Sequence, residues 1–574
     1  MKYGPVITGK KAVLASGHYL ATQAGMQIAA IGGNAVDIGV AAGFALAVLK
    51  PCENSFGGEC PIIIYSPKEQ KTVAISGMGY APRRATIEWF EENEIPLIPG
   101  IGYLPATVPG LVGAYLCALK RYGTLPLSEV LAPAYALARD GFPVYGRLHN
   151  TIKSVVHRLT HDWPTGSALY LHDGKVPEVG SCFKNPALAD TIQKLITASS
   201  SVPDREAGID AAENCFYRGE IAKEIINFSH NNPCIDSTGR THKALLDLED
   251  FAQYQTIVEP TVFCDYKQYT IHKCSAWTQG PVFLHQLKLL EGFDLSAMGH
   301  NSVEYIHTLT ECAKIAFADR ERFYGDPLMS DFSIDSLLDP ERIGKQITEI
   351  NPNKGLETIP QTRDEIIRAA NIPAETQKEA IHDTTHFDVC DADGLMMSAT
   401  PSGGWLSASP LIPSLGFQLG TRGQNFGLRR GHPNALAPRK RPRCTLTPTL
   451  AFRDGKPWMV FGTPGGDKQD QLALQFFLNV VEFNMDIRDA MDAPSFFTNH
   501  FLNSFYPRQA ELRSLYLDRE IDYDTMLALQ DKGHIIRLLP GFTNGQMNAA
   551  ALENDWITGA ACSKLDGQGY AVGW

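Results

Sequence analysis

Asp383-Thr384-Thr385-His386 brings a carboxylate, two hydroxyls and an imidazole together where a polar stretch runs into an apolar strand. A threonine hydroxyl inside a chain is a poor nucleophile. At a chain terminus its own α-amino group, with an ordinary pKa of about 7.7–8.0, can take the proton as the hydroxyl attacks a carbonyl. A cut where the polar stretch meets the strand would present a new N-terminus. The second chemical signal is Pro464-Gly465-Gly466-Asp467, which opens an amphipathic helix from about Lys468 to Phe483. Glycines let the backbone approach a ligand, and unpaired N–H groups at a helix start face negative charge. Such donors can hold a tetrahedral oxyanion, at about 3–4 kcal/mol for each well-placed one. Taken singly, the threonines also read as β-branched strand residues, and the glycines as a tight turn.

The elements that must position these groups are legible from periodicity. Thr385 to Val389 alternates polar and apolar, Ala392-Asp393-Gly394 makes a turn, and Leu395 to Thr400 returns as a second strand. Before it, about residues 351–383 are polar and lack a sustained apolar period, the texture of an exposed linker. Toward the N-terminus, Leu20, Ala24, Ile28 and Ile31 define a helix stopped by Gly32-Gly33. Asn34 then caps a second helix, with Asp37 completing a capping box, and the small residues Ala41, Ala42, Gly43 and Ala45 require a close neighbour. Ile62 to Tyr65 and Thr72 to Ser76 read as strands. Val112 to Tyr122, Leu127 to Arg139, Ile221 to Phe228, Val282 to Glu291 and Val303 to Arg322 read as helices. Thr449 to Phe452 and Trp458 to Phe461 form a hairpin around Asp454-Gly455. The sum is an α+β protein, largely helical before Thr384, with sheets covered by helices.

Composition narrows the function classes. The 574 residues are 44% hydrophobic and 20% charged, as in soluble globular proteins, and are enough for more than one structural unit. A net charge of -12 argues against a nucleic-acid partner. Twelve scattered cysteines, without a C-x-x-C pair or zinc spacing, call for neither a disulfide framework nor a metal. No apolar run is long enough to span a bilayer, and the start lacks a signal-peptide core, so a soluble cytoplasmic protein without a cofactor is expected.

These stretches together resemble the γ-glutamyltranspeptidase family of N-terminal-nucleophile hydrolases. Ala21-Thr22-Gln23-Ala24-Gly25 and Gly32-Gly33-Asn34-Ala35-Val36-Asp37 match its opening signature. Val108-Pro109-Gly110, Ala138-Arg139-Asp140-Gly141-Phe142, Ala318-Asp319-Arg320 and Gly325-Asp326-Pro327 match its large-subunit landmarks, in the family order. Thr384-Thr385-His386-Phe387 matches the start of its small subunit and Pro464-Gly465-Gly466 its oxyanion loop. The resemblance implies a four-layer αββα sandwich, self-cleavage between Asp383 and Thr384, and two interlocked fragments, 1–383 and 384–574. Thr384 would be the nucleophile, and Ser402 stands where the family has a threonine whose hydroxyl supports it.

The positions that read substrate depart from the family. Met78, in Met78-Gly79-Tyr80-Ala81-Pro82, replaces the arginine that grips a glutamate α-carboxylate, and a thioether cannot pair a carboxylate. Gly404 replaces an asparagine, Asn425 (beside Gln424) an acidic residue, and Cys444-Thr445 a pair of serines. Trp277-Thr278-Gln279-Gly280-Pro281 stands where transpeptidases carry a serine- and glycine-rich segment. These losses favour an acyl group without an α-amino acid head, as in the acylase and amidohydrolase branches. Arg422, where the family has a neutral amide, is either an anchor for a simple carboxylate or a surface arginine bound to solvent or a nearby acid. The expected activity is hydrolysis of a small-molecule amide, with acyl transfer to an amine as a variant. Its rivals are a glutathione hydrolase or γ-glutamyltransferase that reads glutamate differently, and an uncut, catalytically silent binding protein.

Overall fold

The computed structural model describes residues 4–359, 383–540, 545–564 and 566–574. The linker expected over about 351–383 falls mostly outside the described residues. Two seven-stranded sheets dominate. In one, the strand Phe387–Asp391 is central, paired antiparallel with Ala12–Ser16 on one side and with Met396–Ala399 on the other. Ile62–Ser66, Lys71–Ser76 and Ile257–Pro260 extend that sheet beyond Met396–Ala399, and Tyr570–Gly573 closes its other edge. In the other sheet, Ile7–Gly9 lies at one edge and Val262–Tyr266 at the opposite edge. Between them run Trp556–Ala561, Asn548–Glu553, Lys456–Gly462, Thr449–Arg453 and Tyr269–Lys273. Both sheets therefore mix strands from before and after Thr384, so a cut there would leave the pieces held by shared ladders.

Strand alternation assigns the two faces of the central hairpin. Phe387, Val389 and Met397 join Leu14, Ile62 and Ile64 in the core beneath helices. Cys390 and Met396, with Val13 and Ile63, meet Leu450, Val460, Ala550 and Ile557 of the facing sheet. A strand buried on both faces tolerates no register slip, because a shift of one residue would exchange the two sets. That rigidity fixes where the chain enters at Thr384.

Tyr19–Ala30, Ala35–Leu49 and Leu111–Tyr122 cover the outer face of the sheet that contains Phe387–Asp391, and Pro281–Leu290 with Gln469–Val481 cover the other. The periodicity placed all five within a residue or two, and the last follows a 3₁₀ turn at Gly466–Lys468. Every residue of Ala35–Leu49 is buried. Its small residues do what close packing requires: a Cβ on Gly39 would sit 2.8 Å from Met397 Sδ, directly under the central hairpin. Pro186–Ser200, Arg205–Tyr217 and Glu220–Asn231 are further helices, the last enclosing the expected Ile221 to Phe228. Among the described residues no helix is long and apolar enough to cross a membrane.

The start of Ala35–Leu49 is over-determined. The Asn34 side chain accepts from the Val36 and Asp37 N–H groups, Asp37 returns a bond to the Asn34 N–H, and Asn34 Nδ2 donates to the Tyr122 carbonyl. Asn34→Ala removes the cap and that cross-link; it should lower stability by about 1–2 kcal/mol, read as a reduced urea midpoint with an unchanged m-value.

Candidate active site

In the uncut chain Thr384 is 3% exposed, at the root of the central strand. An isolated antiparallel bridge joins Thr384 to Ser402, and the Thr385 N–H donates to the Pro401 carbonyl. These bonds set Thr384 Oγ1 3.2 Å from Ser402 Oγ. The same serine hydroxyl donates to the Asp383 carbonyl at 3.2 Å, and the Trp405 indole N–H donates to that carbonyl at 2.5 Å. The peptide carbonyl before Thr384 is thus polarised by two donors while a hydroxyl waits beside it. This is the layout for attack of Thr384 Oγ1 on its own preceding carbonyl.

Ser402 is held from behind by a buried ion pair. Its backbone exchanges both hydrogen bonds with Glu59, at 2.8 and 2.9 Å, and its hydroxyl accepts from Arg422 Nη2 at 3.0 Å. Arg422 Nε in turn donates to Glu59 Oε1 at 2.7 Å. Burial pushes the Glu59 carboxyl up, and the Arg422 charge opposes that shift. Gly403 and Gly404, at φ +80° and +63°, let the loop pass closely over Glu59 and Ser55.

A second ionic cluster holds the other side of the bond. The Asp383 carboxylate pairs with Arg147 and accepts the Thr384 N–H at 2.8 Å. Arg147 also pairs with Glu53 at 2.9 Å, Glu53 with Lys50 at 2.7 Å, and Lys50 with Asp566 at 3.0 Å. Burial pushes the Glu53 carboxyl up to about 7 against the pull of Lys50 and Arg147. Burial disfavours the charge on Arg147, but Asp383 and Glu53 outweigh it and raise its pKa.

The glycine loop lies on the same cavity as Asp383. Gly465 and Gly466 adopt φ +133° and +59°, conformations in which a side chain would be strained. Arg320 anchors the loop through Asp467, which also accepts from the Ser504 N–H at 2.8 Å, while Gln279 donates to the Gly466 carbonyl at 3.3 Å. The cavity holds about 310 Å³ and is bordered by Asp383, Gly465, Gly466, Lys468, Phe497 and Phe505, among others.

The expected substrate positions fall into three situations. Met78 and Cys444 meet in the core between the sheets, packed with Trp277. Burial raises the Cys444 thiol to about 12, so it is a neutral group. Asn425 and Thr445 are buried with side-chain polar atoms that have no hydrogen-bond partner among the described residues, whereas Gln424 is occupied by Gly100, Thr421 and the Tyr506 N–H. Arg422 is not on the surface: it is 1% exposed and paired with Glu59, and its Nη1 has no hydrogen-bond partner among the described residues. Trp405, Arg147 and Glu59, absent from the sequence reading, are brought to the junction by the fold. Only Trp405, three residues after Ser402, lies near a motif in the chain.

Two sheets shared between the parts of the chain, with helices outside and a threonine at the root of a central strand, belong to the class of N-terminal-nucleophile hydrolases. The chain is a member of the gamma-glutamyltranspeptidase family, whose model matches residues 21–572. It is 29% identical to the glutathione hydrolase-like YwrD proenzyme of Bacillus subtilis, covering 99% of each chain. The solved structure of LmbA2991T421A superposes with a TM-score of 0.95 at 35% identity over all of both chains. Cephalosporin acylase from Bacillus halodurans gives a TM-score of 0.85 at 25% identity over 100% of this chain and 98% of its own. Family relatives are thus hydrolases and acylases.

Trp405→Phe keeps an aromatic ring and deletes one donor to the Asp383 carbonyl. Conversion of the full-length chain into two fragments should slow roughly 10²-fold, followed on a denaturing gel; an unchanged rate would remove Trp405 from the cleavage step.

Proposed function

We propose that the chain cuts itself between Asp383 and Thr384 and becomes an amide hydrolase with Thr384 as nucleophile. The observation that carries this reading is the junction itself: Thr384 Oγ1 lies 3.2 Å from the hydroxyl that, with the Trp405 indole, polarises the Asp383 carbonyl. Attack moves the Asp383 acyl group from the Thr384 nitrogen to its oxygen, and water then hydrolyses the ester. The fragments 1–383 and 384–574 remain together through shared ladders in both sheets. Helices on the outer face of each facing sheet support a four-layer αββα sandwich.

In turnover the freed Thr384 amine takes the hydroxyl proton as Oγ1 attacks the substrate amide, and Gly465 and Gly466 N–H groups hold the oxyanion. The amine then protonates the leaving nitrogen. Water, activated by the same amine, releases the acid from the acyl-enzyme, unless an acceptor amine competes for it. Ser402 positions Oγ1, and Glu59 with Arg422 positions Ser402.

The acyl group of this proposal lacks an α-amino acid head. Met78 and the neutral thiol of Cys444 lie in an apolar core, Asn425 offers an amide where a charge would be needed, and Glu59 is spent on Arg422. A substrate ammonium would then be desolvated without a counter-ion. The test compares glutaryl and γ-glutamyl anilides, which differ only by the α-amino group. The glutaryl compound should be cut roughly tenfold faster or more, and Thr384→Ala should remain one band and cut neither. Faster turnover of the γ-glutamyl compound would instead identify a glutathione hydrolase or transferase.

A further inference from the structure

Lys468 is the cation of the active-site cavity that the mechanism above leaves unused. Its side chain runs beside the oxyanion glycines, since a Cβ on Gly465 would lie 3.4 Å from Lys468 Cε. Its ammonium sits over the Phe497 ring, 5.0 Å from the centroid, and Phe497 stacks on Tyr516 at 4.6 Å. Among the described residues Lys468 has no ion pair. Burial lowers its pKa, and the Asp383 carboxylate is the main group acting in the other direction, with Arg147 and Asp518 as the remaining charged neighbours.

Asp383 is the residue a cut would release. In the uncut chain its carboxylate is held by Arg147, and Asp383 and Lys468 line the same cavity. Once the 383 end moves away, Arg147 retains Glu53, but Lys468 loses its principal counter-charge. A partly buried ammonium left in this way is a site for an anion.

Covalent chemistry gives the length of that anion's tether. In the first reaction Thr384 Oγ1 attacks the Asp383 carbonyl carbon; in turnover it attacks the substrate's. Asp383 is thus the acyl group of the first reaction, and its side-chain carboxylate is joined to the attacked carbon through Cα and Cβ, the skeleton of a succinyl group. Resting on the hydrolase reading, we propose that cleavage uncovers an anion subsite in which Lys468, aided by Arg147, binds the free carboxylate of a succinyl-type dicarboxylic monoamide. The carboxylate would take the place that the Asp383 side chain occupies before the cut. Arg422, neutralised by Glu59, is not needed for this.

The experiment uses fully processed enzyme, checked by mass spectrometry, and three anilides: succinyl, glutaryl and the neutral butyryl. Wild type should favour succinyl over butyryl by roughly 10- to 100-fold in kcat/KM, with glutaryl between them. Lys468→Met should collapse that ratio mainly through KM, and Lys468→Arg should restore most of it. Free succinate should inhibit wild type more strongly than butyrate, a readout that stands if a variant fails to fold or process. Equal rates on succinyl and butyryl anilides with equal inhibition by the two acids would overturn the subsite while leaving the hydrolase intact. A processed enzyme that cuts none of the three would overturn both.

Discussion

The bridge between Thr384 and Ser402 is the contact on which the rest of the site depends. It sets Thr384 Oγ1 beside a hydroxyl that bonds simultaneously to the carbonyl of the preceding peptide. Ser402 can hold that position only because its backbone is laddered to Glu59 and its hydroxyl is fixed by Arg422. Sheet geometry, a buried ion pair and a polarised carbonyl therefore form one chain of cause.

Burying so much charge at one junction is costly, and the arrangement shows how the cost is contained. Lys50, Glu53 and Asp566 are almost wholly withdrawn from water, yet each is paired, and the Lys50 ammonium also bonds the Gly17 carbonyl. A paired buried charge contributes little net stability compared with an apolar core, but removing one partner strands the other. Such a cluster holds geometry more than it holds the fold. It lies on the side of the bond that includes Asp383, whereas Glu59 and Arg422 serve the side that includes Thr384. The two clusters flank the peptide without merging.

The inter-sheet layer adds a second constraint behind Thr384. His386 and Asp388, successive inward residues of the strand, are 2.9 Å apart, and His386 also meets Thr400 at 2.9 Å. Gly462 of the facing sheet has no room for a side chain because the His386 ring occupies that space. The glycine loop at 465–466 follows directly from the end of that strand, so its reach toward the cavity is inherited from the packing of the two sheets.

Local chemistry determined a good part of this protein without help from its fold. Asn34 and Asp37 specify a helix start, Asp454-Gly455 a hairpin, and Thr384 to Val389 a strand with the Gly465-Gly466 turn opening a helix, because capping, turns and strand alternation depend on residues close in sequence. The order of motifs sufficed for the family. Arg422 shows where such reading stops: an arginine in a turn carries no mark of whether its charge will meet solvent, substrate or Glu59, a residue 363 positions away. Arg147 and Lys468 were equally silent, and the side chains of Asn425 and Thr445 became visible only as buried groups without hydrogen-bond partners among the described residues. Partnership of charges is set by distance in space, and the sheets that mix early and late strands alone decide which residues share it.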